Sequence, residues 1–184
     1  MHGYVLSVMS ADHPGIVAAV SEAVEQLGGN ILACSQTVLS GYFTLIMVLE
    51  LPQPVEPTEL AAQVRASKGL GEDYQITVRS ANRTTPPTRE EPTDSFVISV
   101  FGNDRPGIIR EFTHYLSGRD INIVDLYGEK SGNEFHLIGQ LEIPTDLDIR
   151  LIQDDLEEIG RQLGFTVRLQ HKNIFTATNH LRFN

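Results

Sequence analysis

An internal repeat with a period of 92 residues constrains this chain more than any other feature of its sequence. Shifting the sequence by that period places residues 4–8 on 96–100 and residues 12–17 on 104–109. The alignment runs from residue 4 to residue 52 without a gap. A long ungapped self-match indicates a duplicated structural unit. Each unit has about 90 residues, which can bury only a modest core.

Each copy predicts the element order βαββαβ. In the first copy, an alternating β-rich strand is followed by a helix whose start is predicted at Asp12 and Pro14, with the proline in the first turn. Gly28 and Gly29 end that helix. Ser40 and Gly41 join the next two strands as a hairpin. The predicted first strand, hairpin strands, second helix and last strand cover residues 4–9, 30–39, 42–51, 60–64 and 74–78.

This order predicts an α+β fold with two ferredoxin-like domains, each a four-stranded antiparallel sheet with both helices on one face. A polar, proline-rich stretch between the copies predicts an extended linker. The predicted division is domain 1 at 1–82, linker at 83–94, domain 2 at 95–170 and a C-terminal tail at 171–184. The tail is apolar enough to require burial, either on the chain's own open sheet or on a second subunit. Its apolar residues are Ile174, Phe175, Leu181 and Phe183.

Composition argues against several classes of function. The net charge is −10 and no two basic residues are adjacent, so direct nucleic-acid binding is not expected. The chain has no apolar run of about 18 residues and does not begin like a signal peptide, so no membrane association is expected. The single cysteine, Cys34, suggests a reducing cytoplasm and is interpreted as a small buried hydrophobic residue.

No catalytic, metal or cofactor site is expected. The six histidines lack ligand spacing, and His136 is predicted to line a sheet face. No nucleophile, phosphate-loop or paired-cysteine motif occurs. A group of carboxylates on the last long helix is interpreted as its solvated face. These carboxylates are Asp154, Asp155, Glu157 and Glu158.

The duplicated Asp-x-Pro-Gly loop and the duplicated Asn-Ile pair are the candidate binding elements. The loop opens a helix, whose unpaired backbone N–H groups attract a carboxylate. Gly15 allows close approach of a ligand to the backbone, and Asp12 supplies an anion for an ammonium group. The amide of Asn30 can donate and accept hydrogen bonds. Together these groups suit a zwitterionic α-amino acid. The alternative, that the Asp and Pro cap the helix and the Asn starts a strand, remains open.

These motifs resemble those of the ACT domain family, and the resemblance covers both copies. It implies βαββαβ modules that bind amino acids or related small molecules where two domains pair, through the strand-to-helix loop and the start of the second strand. The candidate ligand-binding residues are Asp12, His13, Pro14, Gly15, Ile16, Asn30 and Ile31 in the first copy, and Asp104, Arg105, Pro106, Gly107, Ile108, Asn122 and Ile123 in the second.

The predicted function is that of a non-catalytic, cytoplasmic regulatory protein that senses an amino acid. Any role in transcription is expected to act through a protein partner, because the surface charge argues against DNA. A homodimer is expected. The alternative is an interaction or assembly module that keeps the fold and has lost the ligand.

Overall fold

The computed structural model describes residues 1–67, 70, 73–81 and 92–179, with side chains to residue 175 at the C-terminal end. It divides into two compact units, Met1–Thr88 and Arg89–Asn184. Most of the predicted linker, residues 83–91, lies outside the described residues, so the division proposed from the sequence stays a prediction.

The order βαββαβ is confirmed in both units. The first unit contains β1 (His2–Ala11), α1 (Ile16–Gln26), β2 (Asn30–Leu39), β3 (Tyr42–Leu51), α2 (Pro57–Arg65) and β4 (Gln75–Ala81). The second contains β5 (Thr93–Asn103), α3 (Ile108–Ser117), β6 (Asn122–Ser131), β7 (Glu134–Pro144), α4 (Ile149–Leu163), β8 (Phe165–His171) and a further helix in the predicted tail, α5 (Lys172–Asn179).

Each unit has one antiparallel sheet, with strand order β2-β3-β1-β4 in the first and β6-β7-β5-β8 in the second. Alternate strand residues such as Leu6 and Ile98 point to one face and are almost fully buried against α1 and α2, or α3 and α4. This confirms the predicted α+β class with two ferredoxin-like domains.

The second copy adds a polar connection between its two main helices. Arg119 lies over the ring of Tyr115, with its guanidinium carbon 4.0 Å from the ring centre, and pairs with Asp155 at 2.7 Å. The Tyr115 hydroxyl donates to the same carboxylate at 2.9 Å. Asp155 was expected on a purely solvated helix face. It instead connects α4 to Tyr115 of α3 and to Arg119, which lies just after α3.

Cys34 is exposed, so its interpretation as a buried hydrophobic residue is wrong. It lies on β2, the edge strand of its sheet, most of whose residues are exposed. His136 lies on the open face of the second sheet, as predicted, with its ring edge-on to Phe101 at 5.2 Å.

The open faces of the two sheets differ. In the second unit, α5 contacts β5 and β8, and the open-face residues Val97 and Ser99 are buried. The tail thus contacts its own sheet, which was one of the two possibilities. In the first unit, the residues at the positions of Val97 and Ser99, Val5 and Ser7, are half-buried.

Within the described ranges, no helix is long and apolar enough to cross a membrane. The same part of the chain contains no cluster of three or more metal-ligating side chains.

Candidate functional site

The loop after β1 is held by a glycine in the left-handed conformation. Gly15 has φ of 99° and immediately precedes α1, a conformation in which a Cβ is unfavourable. Pro14 lies in the turn before the helix rather than in its first turn, so that prediction is wrong by about two residues. The backbone N–H of Asp12 donates to the Gly41 carbonyl at 2.9 Å, which ties the loop to the β2–β3 turn.

The N-terminus of α1 has no side-chain cap in the described part of the chain. The Ala19 N–H bonds to the Gly15 carbonyl at 3.0 Å, which leaves the N–H groups of the preceding first-turn residues available. Asp12 therefore does not act as a cap, and its carboxylate has no hydrogen-bond or ion-pair partner among the described residues. A Cβ built on Gly15 meets nothing within 4 Å, so the loop backbone is open to an incoming group.

His13 is positioned by Tyr74, the residue that immediately precedes β4. Its Nε2 hydrogen-bonds with the Tyr74 hydroxyl, and its Nδ1 lies 3.0 Å from the Pro14 carbonyl. Burial raises the pKa of Tyr74, with a smaller opposing effect of the Ser10 hydroxyl. Tyr74 therefore stays protonated and neutral near pH 7, and its bond to His13 restrains the loop.

The matching loop of the second copy has the same backbone and different side-chain pairing. Gly107 has φ of 89°, and the Asp104 N–H donates to the Asn133 carbonyl at 2.8 Å. The Asp104 carboxylate, however, forms an ion pair with Lys130 at 2.6 Å. The first turn of α3 also contains Glu111, whereas the first turn of α1 has no acidic residue. Arg105, at the position of His13, is exposed.

The two asparagines are not brought to these loops within their own domains. Asn30 pairs with Glu50 in the β2–β3 register, whereas the loop follows the Ala11–Tyr42 pair at the other end of the sheet. Eight strand residues separate the two ends, about 27 Å at the rise of an antiparallel strand. Asn122 occupies the same place in the second sheet, with its Nδ2 3.5 Å from a Glu142 carboxylate oxygen.

Four candidate residues belong to the hydrophobic cores. Ile16 and Ile108 are buried, and Ile31 and Ile123 are half-buried against the same cores. These isoleucines support the loop and the strand start from behind. The groups that remain open to a ligand are the loop backbone, the Asp12 carboxylate and the Asn30 amide.

Sequence reasoning missed Lys130 and Tyr74. Lys130 contacts the second loop from β6, and Tyr74 contacts the first loop from the position just before β4. Neither belongs to a repeated motif. The substitution of Val38 in the first copy by Lys130 in the second was a visible signal, because a charge replaces an apolar residue at matching positions.

Comparison with known proteins identifies the family. A family model described as the ACT domain matches residues 2–74 and again 94–170. A UPF0237 protein of Listeria monocytogenes is 40% identical over 75 residues, covering 40% of this chain and 81% of that protein. A UPF0237 protein of Methanosarcina acetivorans is 32% identical over 81 residues, covering 44% of this chain and 88% of the relative.

Two solved structures match nearly the whole chain. One, a protein of unknown function from Galdieria sulphuraria, has a TM-score of 0.73 at 23% identity and covers 92% of this chain and 98% of its own. The other, a candidate glycine cleavage system transcriptional repressor, has a TM-score of 0.66 at 20% identity, covering 93% and 98%. At these identities the likeness shows the fold. The two family matches, together with the observed fold, show that the chain is a tandem member of the ACT domain family.

Proposed function

We propose that this protein is a non-catalytic regulator that binds a free α-amino acid at the loop between β1 and α1. The observation that supports it most directly is the unpaired Asp12 carboxylate beside an uncapped helix N-terminus. An ammonium group on the ligand pairs with Asp12, and the ligand carboxylate accepts from the first-turn N–H groups of α1. Gly15 leaves the space for this approach.

The first copy is the better amino-acid site of the two. Asp104 is already neutralised by Lys130, and Glu111 in the first turn of α3 repels a ligand carboxylate. The second loop therefore offers neither the free anion nor the favourable helix end. We assign it a structural role, with its ion pair holding the loop closed against β6.

A complete site needs an asparagine amide from a second ACT domain. Asn30 lies about 27 Å from its own loop by the strand rise, so it cannot contact the same ligand. Two ACT domains placed side by side and antiparallel bring the loop of one to the strand start of the other. A ligand held in this way stabilises the paired arrangement and so shifts an equilibrium between conformations that a protein partner distinguishes.

The proposed regulatory output is control of transcription of glycine cleavage genes through a protein partner in the cytoplasm. The likeness to the candidate repressor supports the output, and the net charge of −10 argues against direct DNA contact. A promoter reporter for those genes should respond to the added amino acid in cells with the intact protein. It should lose that response with Asp12→Asn.

The binding step is tested by a thermal-shift screen of the twenty amino acids, followed by calorimetry. A ligand at 100 times its dissociation constant adds about 2.7 kcal/mol of stability. Asp12→Asn should weaken binding about 10- to 100-fold through loss of a charged hydrogen bond. The control is Asp104→Asn, the duplicated position, which should leave affinity unchanged. Equal losses in both variants contradict the assignment to the first copy. If no amino acid binds, the alternative holds: an assembly module that has lost the ligand.

A further inference from the structure

One end of the open face of the second sheet has exposed aromatic and acidic side chains. Phe101 and Tyr127 are 39% and 50% exposed there. Phe101 pairs with His136 in the β5–β7 register, and Glu129 pairs with His136 in the β6–β7 register. Partners in register lie on the same face of a sheet, so these three residues form a row across three strands. Tyr127 is two residues from Glu129 on β6 and therefore shares that face.

The side chains at this end of the face are restrained by contacts with one another. The Tyr127 hydroxyl donates to a Glu129 carboxylate oxygen at 2.6 Å. The His136 ring lies edge-on to Phe101, with the ring centres 5.2 Å apart. Its Nε2 is 3.6 Å from a carboxylate oxygen of Glu134, whose side chain remains 70% exposed. The five residues, which we call the aromatic-acidic patch, thus hold two carboxylates beside two exposed rings.

Two basic residues on β6 and β8 leave the negative charge of the patch in place. Lys130, next to Glu129 in the chain, lies on the other face of β6 and pairs with Asp104. Arg168 shares the open face but lies on β8, opposite Ser99. In the order β6-β7-β5-β8 it is three strand spacings from Tyr127, about 14 Å. The β6–β7 side of the face is therefore acidic.

The corresponding face of the first sheet lacks this character. The positions of Phe101, Tyr127, Glu129 and His136 are occupied there by Met9, Ser35, Thr37 and Thr44. These four line a shallow depression of about 460 Å³ whose lining residues are all uncharged. Because both copies form the same fold, the fold does not require the aromatic and acidic residues of the second copy. They are free to serve a contact.

We propose that the aromatic-acidic patch binds an arginine-containing basic segment of the protein partner. A guanidinium stacks on an aromatic ring and pairs with a carboxylate, and the patch has both groups side by side. Phe101 and Tyr127 lie two strand spacings and two residues apart, about 12 Å, a span that an extended segment covers in about four residues. The net charge of −10 attracts such a segment over distance. The inference rests on the proposed function only for the existence of a protein partner.

A fluorescence anisotropy titration of the full chain with a labelled peptide of alternating arginine and serine tests the charge of the patch. Glu129→Lys should weaken binding at least about 10-fold, because attraction becomes repulsion. The matched control is Asp154→Lys, the same change of charge on α4, which packs on the opposite face of the sheet. It should weaken binding less than about 2-fold. No binding by the wild type, or equal losses in the two variants, overturns the proposal.

The aromatic contribution is tested in the same titration. Tyr127→Ala should weaken peptide binding about 5-fold, because the stacking surface for a guanidinium is lost. Tyr42→Ala is the control, since Tyr42 is 63% exposed on β3 of the first sheet. It should leave the affinity unchanged. Equally tight binding of the free polyamine spermine would assign the patch to a small cation and overturn the assignment to a peptide.

Amide NMR spectra of the full chain locate the contact. The peptide should shift the resonances of Tyr127, Glu129 and His136 and leave those of their counterparts Ser35, Thr37 and Thr44 unchanged. Shifts confined to the first unit overturn the proposal. Circular dichroism checks that the variants fold. The titration contains no amino acid, so a negative result there contradicts the patch alone, whereas a negative thermal-shift screen contradicts the ligand site alone.

Discussion

The two Asp-x-Pro-Gly loops have nearly the same backbone and opposite electrostatics. Both glycines lie in the left-handed region, and both aspartate N–H groups bond to the turn of the adjacent hairpin. The first carboxylate is unpaired among the described residues, whereas Lys130 pairs with the second. Both copies of the motif have thus kept the same backbone conformation, but only the first copy has an aspartate carboxylate without a partner among the described residues. A repeated motif predicts a repeated conformation more securely than a repeated function.

The largest effect is expected from a core substitution, which also shows whether the two hydrophobic cores unfold independently. Leu6→Ala removes a fully buried side chain from the first core and should cost about 2–5 kcal/mol. Native-state hydrogen exchange should show faster exchange in the strands of the first unit, with those of the second unchanged. Ile98→Ala, at the duplicated position, should give the reverse pattern. Matching losses in both units from either change would show that the two cores unfold as one.

A smaller effect is expected from a substitution at Gly15, which tests whether the loop before α1 contacts the ligand. Gly15→Ala places a Cβ on a residue with φ of 99° and should cost about 1–2 kcal/mol of stability. It should also weaken amino-acid binding, because the Cβ occupies the open space before α1. Gly164→Ala is the control, since its φ is 79° and nothing lies within 4 Å of the added carbon. For Gly164→Ala, calorimetry should show a similar loss of stability and an unchanged affinity for the amino acid. Equal affinity in both variants argues against ligand contact at Gly15.

The smallest effect concerns the α3–α4 connection, which is present in the second copy. Tyr115→Phe removes the bond to Asp155 and should cost about 1 kcal/mol near pH 7. Burial, followed by the hydrogen bond to Asp155, raises the pKa of Tyr115 above its usual value of 10.0. Above about pH 10 the unfolded tyrosine ionises while the folded one stays protonated, so stability falls as pH rises.

Chemical denaturation at a series of pH values above about 10 measures this decrease in the free energy of unfolding. The unfolding free energy should fall less steeply with rising pH in Tyr115→Phe than in the wild type. Tyr74→Phe is the control in the first copy, where burial also raises the pKa of the replaced tyrosine. It should reduce the pH dependence of the unfolding free energy of the first unit. The pH dependence for the second unit should not change. A slope unaffected by Tyr115→Phe would show that other groups cause it.

The candidate site was predictable in part. The sequence identified both loops, because a repeated Asp-x-Pro-Gly before a helical pattern specifies a local turn. It also grouped Asn30 with Asp12 as parts of one ligand site. The sheet register places them at opposite ends, since β1 and β2 run parallel with the helix between them. Proximity between such residues depends on strand direction and register.

The sequence by itself determined the duplication, the element order and the inward-facing residues of each sheet. These follow from local periodicity: alternation in strands, three- and four-residue spacing in helices, and glycine where φ must be positive. The tertiary structure decided the pairing of Asp104 with Lys130, the exposure of Cys34 on an edge strand and the placement of α5 on the second sheet. Each of these depends on which distant segments become neighbours, and local periodicity carries no information about that.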